Sequence, residues 1–126
     1  MEDQHTFNIT INEKEQEVKM TFGLLNELCG MCGDHEDALM FALNTDLRAE
    51  ALRLMLSTRD NQGKITKEAN FHLMDMDPEA VSDLLDWAGA HTLDFFLKAA
   101  ERTKKTSESR QERMKALVPS SNGGEA

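Results

Sequence analysis

The chain has 126 residues, of which 40% are hydrophobic and 29% charged, which is enough for one domain whose core needs no disulfide or metal ion. It has no apolar run of about 18 residues and no basic leader followed by an apolar segment, so it is predicted to be cytoplasmic and not inserted in a membrane. Residues 1–97 carry 7 basic and 19 acidic side chains, whereas residues 98–115 carry 7 basic and 3 acidic ones. The acidic body argues against nucleic-acid binding, because phosphate contacts require Lys and Arg.

The first predicted element is a β-hairpin at about residues 7–22. Apolar and polar residues alternate at 7–11 and again at 18–22, and a polar loop at 13–16 separates the two runs. Alternation with a period of two predicts strands with one apolar face. Because an isolated hairpin is only marginally stable in water, this face is expected to pack on a helix or on a partner.

Three short helices are predicted next. The first starts at Thr21 or Phe22 and is rich in Leu. Asp34 is expected to cap the second, and Thr45 or Asp46 the third. The apolar residues of the second helix are Ala38, Leu39, Phe41, Ala42 and Leu43.

The stretch 59–64 has the composition of a turn, although it imitates a calcium-binding loop. If Gly63 is the sixth position of such a loop, Asp60 takes a ligand position. Thr58 and Ala69 then occupy the first and last positions, where the motif requires acidic ligands. A plain turn is therefore predicted.

The best-marked element is a long helix from Asp77 to about Thr103. Asp77 is expected to cap it, and Pro78 suits the first helical position, where a missing N–H group costs nothing. The segment 71–76 before it fits neither the helical nor the strand period, so its conformation stays open. Apolar side chains recur along the helix at every third or fourth position: Val81, Leu84, Leu85, Ala88, Thr92, Phe95, Phe96 and Ala99.

These elements predict a mainly α protein with a small N-terminal β-hairpin, which places it in the α+β class. A compact helical domain with a long C-terminal helix is expected to span residues 1–103. Residues 104–126 are expected to form a polar helical extension and a flexible tail, because the hydrophobic periodicity ends there. The long helix offers more apolar area than the other elements cover, so association into a homo-oligomer is a further expectation.

Cys29 and Cys32 form a C-x-x-C motif, and His35 could supply a third zinc ligand. Redox pairs of this kind lie at the start of a helix, where the dipole lowers the thiol pKa, but this pair follows a helix. No second ligand pair exists for zinc. Two half-buried thiols are the favoured interpretation and no metal or cofactor is predicted, with a zinc- or thiol-dependent regulatory protein as the alternative.

His91 and Asp94 lie three residues apart on the long helix and could be read as an acid–base pair. The sequence offers them no partner nucleophile and no phosphate-binding loop, so neither a catalytic residue nor an enzyme is predicted. His91 is instead expected to stack on Trp87 and to bond a neighbouring carboxylate.

Eight methionines and no tyrosine indicate either an ordinary Met-rich core or a soft apolar surface that accepts varied partners. Together with the acidic body, the long apolar helix and the basic segment after it, they favour an interaction protein. An acidic DNA mimic that blocks a nucleic-acid-binding protein is a further alternative.

Four motifs follow one another in a familiar order: VKMTFG at 18–23, LMLSTRD at 54–60, LLDW at 84–87 and HTLDFF at 91–96. Over residues 5–103 this arrangement resembles the tail assembly chaperones of long-tailed bacteriophages, of the lambda G protein type. The resemblance implies a small helical protein of the host cytoplasm, absent from the virion, that binds the tape measure protein. By the same resemblance, the chaperone is expected to keep the long hydrophobic helices of the tape measure protein soluble while tail tube subunits assemble around the tape measure protein.

The resemblance also implies that a frameshifted longer product carries a C-terminal extension for the tail tube protein, and 104–126 is a natural place for one. The partner-binding groove is expected to accept the apolar face of a client helix. Its predicted residues are Trp87, Leu93, Phe96 and Leu97. The acidic surroundings are expected to steer basic segments of the client towards it.

Overall fold

The structure is a computed structural model, and it describes residues 4–117. Helices dominate it, together with two short antiparallel hairpins, which confirms the predicted α+β class. Two 3₁₀ helices, His35–Met40 and Phe71–Leu73, lie between the longer elements. The strands and α-helices in chain order are β1 (Thr6–Ile11), β2 (Lys14–Lys19), α1 (Phe22–Gly30), α2 (Thr45–Leu56), β3 (Thr58–Arg59), β4 (Ile65–Lys67) and α3 (Pro78–Leu117).

The chain divides within α3 into two compact units, Met1–Asp94 and Phe95–Ala126. The first unit contains both hairpins, both 3₁₀ helices, α1, α2 and the first part of α3. The described part of the second unit is the remainder of α3. The predicted end of the domain at residue 103 stays a prediction.

The first hairpin is tighter than predicted. Asn12 and Glu13 have φ angles of 52° and 69°, and this two-residue turn leads directly into β2 at Lys14. Positive φ at both central residues is the backbone geometry whose twist matches that of paired strands. The predicted loop at 13–16 is therefore wrong, because only Glu13 of that stretch lies in the turn and residues 14–16 belong to β2. The turn geometry, and not the polarity of the residues, determines where strand pairing begins again.

Side-chain oxygens cap the three helices after this hairpin. Thr21 accepts from the backbone N–H of Leu24 at 3.1 Å, and α1 starts at Phe22, one of the two predicted starts. Asp34 accepts from the backbone N–H of Glu36 at 2.9 Å, as predicted. The third cap is Asn44, and not Thr45 or Asp46. Asn44 has an extended backbone and Thr45 is already helical, so only the side chain of Asn44 can reach back to the free N–H groups.

The core of the first unit joins the apolar face of the hairpin to the buried faces of the helices, as expected for a hairpin that needs a helical support. Thr92 is also fully buried, and its hydroxyl donates to the carbonyl of Ala88 at 2.8 Å, so burial leaves no polar group unpaired there. The buried apolar residues that form this cluster are Ile9, Ile11, Val18, Met20, Leu24, Leu28, Phe41, Ala51, Leu52, Leu54, Met55, Leu56, Leu84, Leu85 and Ala88.

The 59–64 stretch forms the turn of the second hairpin. Oδ1 of Asp60 accepts from the N–H groups of Gln62 and Lys64, at 2.8 and 3.0 Å. Gly63 has a φ of +84°, which suits glycine. The carboxylate is thus used within the turn itself, in agreement with the plain turn predicted from composition.

Arg59 connects this turn to two helices. It donates to the carbonyl oxygens of Gly63 and Leu54, at 2.8 and 2.9 Å. Its Nη2 also lies 2.7 Å from Oε1 of Glu27 on α1, which makes an ion pair. The angles at this contact are not those of a hydrogen bond, so Oε1 has an ion-pair partner but no hydrogen-bond donor. This ion pair neutralises a carboxylate that is partly removed from solvent.

The long helix α3 starts as predicted and runs further. Oδ2 of Asp77 accepts from the N–H of Ala80 at 3.3 Å, and Pro78 is the first helical residue. The helix has 40 residues and continues past Thr103 to Leu117. The predicted flexible tail at 118–126 lies outside the described residues. Among the described residues, no helix combines the length and apolar character that a membrane span requires.

Gly89 allows α3 to approach the first 3₁₀ helix closely. A Cβ atom at residue 89 would lie 2.5 Å from the backbone oxygen of Ala38 and 3.7 Å from the ring of Phe41. A backbone oxygen cannot move aside as the end of a flexible side chain can. The contact therefore requires glycine, although glycine is an unfavourable helix residue.

We expect Gly89→Ala to lower the free energy of unfolding by about 1–3 kcal/mol, because overpacking forces backbone shifts. Urea unfolding followed by circular dichroism measures the change. Gly30→Ala is the matched control, since a Cβ at residue 30 meets no atom within 4 Å. An equal loss in both variants, or no loss in Gly89→Ala, would contradict the steric explanation.

Candidate partner-binding surface

The two cysteines at the end of α1 lie in a site that keeps them protonated. The thiol of Cys32 donates to the carbonyl of Leu28 at 3.3 Å. Burial, reinforced by the nearby carboxylate of Asp37, raises the pKa of Cys32 to about 11. Burial also raises the pKa of Cys29. A redox-active C-x-x-C pair requires the opposite shift, because the thiolate is the nucleophile.

Metal binding by these cysteines has no support from the geometry. Within residues 4–117, no three or more His, Cys, Asp or Glu side chains lie close enough together to hold one metal ion. That statement covers the set Cys29, Cys32 and His35 proposed from the sequence. In this part of the chain, the zinc-dependent alternative is not supported by a set of side chains arranged to coordinate zinc.

We expect Cys32 to react slowly with iodoacetamide in the folded protein. At pH 8 a thiol with a pKa of about 11 is roughly 0.1% thiolate, against roughly a quarter for a free cysteine, so alkylation should be on the order of 100-fold slower. The rate should rise as the pH approaches the pKa. Mass spectrometry of the alkylated peptides measures it.

The control is the same reaction in urea, where unfolding removes the burial and both cysteines should react at the rate of a free thiol. Fast alkylation of Cys32 in the folded protein at pH 8 would show that the thiol is activated, contrary to its position in the fold.

His91 packs among aromatic rings at the N-terminal segment. Its ring contacts that of Trp87 with the centroids 5.1 Å apart, but edge-on and not stacked as predicted, and the centroid of His5 is 5.6 Å away. The carboxylate partner predicted for His91 is also wrong, because a backbone oxygen takes that place. Nε2 of His91 lies 2.6 Å from the backbone oxygen of Gln4, and Nε1 of Trp87 donates to the same oxygen at 3.0 Å. Trp87 also contacts Phe7, with ring centroids 5.6 Å apart. These contacts attach the start of β1 to α3.

The four residues predicted for the partner groove have different environments. Trp87 is half-buried against Phe7, and Leu93 is half-buried six positions further along the helix. Six residues correspond to a rotation of about 120° around the helix, so these two side chains do not share a face. Phe96 and Leu97 belong to the second unit, where Phe96 is half-buried and Leu97 is 54% exposed. A groove formed by all four residues stays a prediction.

An exposed apolar surface lies instead on the segment after Asp34. Leu39, Met40 and Leu43 are 60%, 38% and 73% exposed, and we call these three residues the 39–43 patch. The N–H of Leu43 donates to the carbonyl of Met40 at 3.0 Å, so a hydrogen-bonded turn follows the 3₁₀ helix directly. All three side chains therefore belong to two successive turns.

The backbone under the 39–43 patch is held from within. Ala38 and Phe41 are almost completely buried, and the carbonyl oxygen of Ala38 lies against Gly89 of α3. The sequence assigned Leu39 and Leu43 to the apolar set of an α-helix. The structure instead has a 3₁₀ helix that ends at Met40 and a turn after it, and in this winding Ala38 and Phe41 are buried while Leu39 and Leu43 are exposed.

The 39–43 patch has acidic surroundings in the sequence. No Lys or Arg occurs between Lys19 and Arg48, and four acidic residues flank the patch on its two sides: Asp34, Glu36, Asp37 and Asp46. An apolar surface next to uncompensated carboxylates favours a ligand that has both an apolar face and basic residues.

A shallow depression of about 360 Å³ lies beside α2, lined in part by Arg53, Phe71 and His72. The guanidinium of Arg53 is already bonded to Glu50 at 2.6 and 3.0 Å and to Glu68 at 2.8 Å. The hydrogen bond from Arg53 lowers the pKa of Glu50, so that carboxyl is an ion-pair partner and not a proton donor at neutral pH. Nothing in this arrangement is specific for a small-molecule substrate.

A scan against protein-family models, a search of curated proteins and a search of solved structures each return no match to this chain.

Proposed function

We propose that the chain is a phage tail assembly chaperone that binds apolar helical segments of the tape measure protein in the host cytoplasm. The observation that carries this proposal is the 39–43 patch, three apolar side chains exposed on a segment whose neighbours are core residues. The order of motifs over residues 5–103 supports the same class of protein. The chain then acts by binding and not by catalysis.

The 39–43 patch has the residue types and spacing that helix recognition uses. Met40 and Leu43 are three positions apart and so share one side at three residues per turn, with Leu39 next to Met40 in the chain. A client helix can pack on Met40 and Leu43 and reach Leu39 at the edge of that contact. Burying a Leu or Met side chain contributes about 1.5–3 kcal/mol, which makes a three-residue contact meaningful but reversible. Reversibility suits a chaperone that must release its client when the tail tube closes around it.

The acidic flanks of the patch serve two purposes in this proposal. They attract basic residues that border the apolar stripe of a client helix. They also disfavour contact between the patches of two chaperone molecules, because like charges would then face each other. The chaperone can therefore expose leucine to solvent and remain available to its client.

The second unit would supply the recruitment of tail tube subunits that the resemblance implies. Its helix is basic, and its side chains from residue 100 to residue 115 are exposed. A long exposed helix of charge opposite to the body offers a contact surface formed by residues other than those of the 39–43 patch.

The test is co-expression of the chain with the tape measure protein of its phage, followed by measurement of the soluble fraction and of the affinity for an apolar tape measure segment. We expect the double variant Leu39→Ser, Leu43→Ser to bind that segment at least about tenfold more weakly, because two buried leucines are lost. Its unfolding free energy should change little, since both side chains are already exposed.

Two matched variants identify the surface. Leu73→Ser removes a leucine that is 78% exposed outside the patch, and it should bind as the wild type does. Leu97→Ser tests the groove predicted from the sequence. If Leu97→Ser loses binding and the double variant binds fully, the client-binding site is the groove predicted from the sequence and not the 39–43 patch. If the wild-type chain leaves the tape measure protein insoluble, the proposed function is refuted.

An acidic DNA mimic is the second candidate, because four exposed carboxylates follow one face of α3: Glu79, Asp83, Asp86 and Asp94. We call this set the acidic stripe. It spreads four charges over about 22 Å of helix, whereas one DNA strand presents a phosphate every 3.4 Å or so. The lower charge density favours the chaperone. Displacement of DNA from a host nucleic-acid-binding protein by the chain would reverse that preference.

A further inference from the structure

The depression beside α2 contains a carboxylate that has no cationic partner. Four of its lining residues, Asp46, Ala49, Glu50 and Arg53, are spaced so that they share one face of the helix. Glu50 and Arg53 are paired with each other. Asp46 is exposed, and within residues 4–117 no ion pair joins it to another residue. Its charge is therefore available to a cation from another molecule.

Arg48, the cation nearest to Asp46 in the sequence, is bonded elsewhere. Its guanidinium donates to the carbonyl of Ala42 at 3.0 Å and to the hydroxyl of Thr45 at 3.4 Å. Side chains two positions apart on a helix do not face each other, so Arg48 and Asp46 point to different sides of α2. The carboxylate of Asp46 is thus not neutralised from its own helix.

The rest of the depression offers apolar surface beside this carboxylate. Ala49, Ala69 and the ring of Phe71 line it, and all three residues are half-buried. A lysine or arginine side chain has an apolar stem that packs on such a surface and a charged end that stays in contact with water. The depression therefore provides contacts for both parts of a basic side chain.

The chain connects the depression closely to the 39–43 patch. Leu43 precedes Asp46 by three residues, so their Cα atoms are at most about 11 Å apart. Two turns of a client helix, at about 5.4 Å per turn, cover the same distance. One client helix can therefore place an apolar side chain on the patch and a basic side chain on the depression, one or two turns apart.

We propose that the depression beside α2 binds a lysine or arginine of the client helix, with the stem on Ala49 and Phe71 and the charge at the carboxylate of Asp46. This inference rests on the proposed function, because the same client helix occupies the 39–43 patch. It adds which class of residue the client carries and where that residue lies relative to the apolar contact. An acidic client residue is disfavoured at this position, since the carboxylate would repel it.

The experiment measures the affinity of the full chain for synthetic helical peptides by fluorescence anisotropy. All peptides carry the same leucine stripe, and each has one lysine placed one or two turns from a leucine of that stripe. At one of these spacings, lysine should bind about two- to fivefold more tightly than Nε-acetyllysine, which keeps the stem without the charge. 2,4-Diaminobutyric acid should lose most of this gain, because its ammonium group has a stem shorter by two methylenes.

Substitutions at residue 46 test the contact with the carboxylate. Asp46→Asn should abolish the difference between the lysine and acetyllysine peptides, and Asp46→Lys should reverse the preference in favour of a glutamate peptide. The matched control is Asp83→Asn, which removes an exposed charge from α3, outside both the depression and the 39–43 patch. It should keep the full preference for lysine. Circular dichroism confirms that each variant is folded.

The outcomes separate this inference from the proposed function. If the wild type binds neither these peptides nor a tape measure segment, both are refuted. If binding requires Leu39 and Leu43 but is the same for lysine and acetyllysine, or if Asp46→Asn keeps the preference, only the basic-residue site is refuted. It is also refuted if diaminobutyric acid binds as tightly as lysine, because the carboxylate then attracts charge without the depression holding a stem.

Discussion

The close packing of α3 against the first 3₁₀ helix is the contact on which the rest of the structure depends. Leu84, Leu85 and Ala88 enter the core, and Gly89 lets the backbone at Ala38 approach the helix. This contact fixes the direction of the segment that follows Asp34. With Ala38 and Phe41 held inside, the neighbouring Leu39 and Leu43 have to face solvent. The apolar surface is thus a consequence of how the core is packed.

Two kinds of exposed surface occur on this chain. Under the proposed function, the 39–43 patch contributes to binding by removing apolar area from water, a contribution that salt does not weaken. The carboxylates near it would act through electrostatic attraction, which salt screens. Ionic strength would then weaken the attraction of a basic client without weakening the apolar contact that holds it.

The elements with strong local signals were predicted well. Thr21, Asp34 and Asp77 cap helices because their short polar side chains reach the free N–H groups of the first turn, which is a local property. Asp60 shapes its turn for the same reason. The candidate site was predicted less well. Leu39 and Leu43 were counted with the apolar residues of an α-helix, and no local rule distinguishes an exposed leucine from a buried one.

The sequence by itself determined the α+β class, the start of α3 and the separation of acidic and basic charge, because caps, periodicity and composition act over a few residues. Only the tertiary structure decided that the helix capped by Asp34 is a 3₁₀ helix and that Leu39 and Leu43 face solvent. The same holds for the packing of Trp87 on Phe7 and Gln4. These outcomes depend on which backbones approach each other, as at Gly89 and Ala38. Residues 51 positions apart in the chain carry no local signal of such a contact.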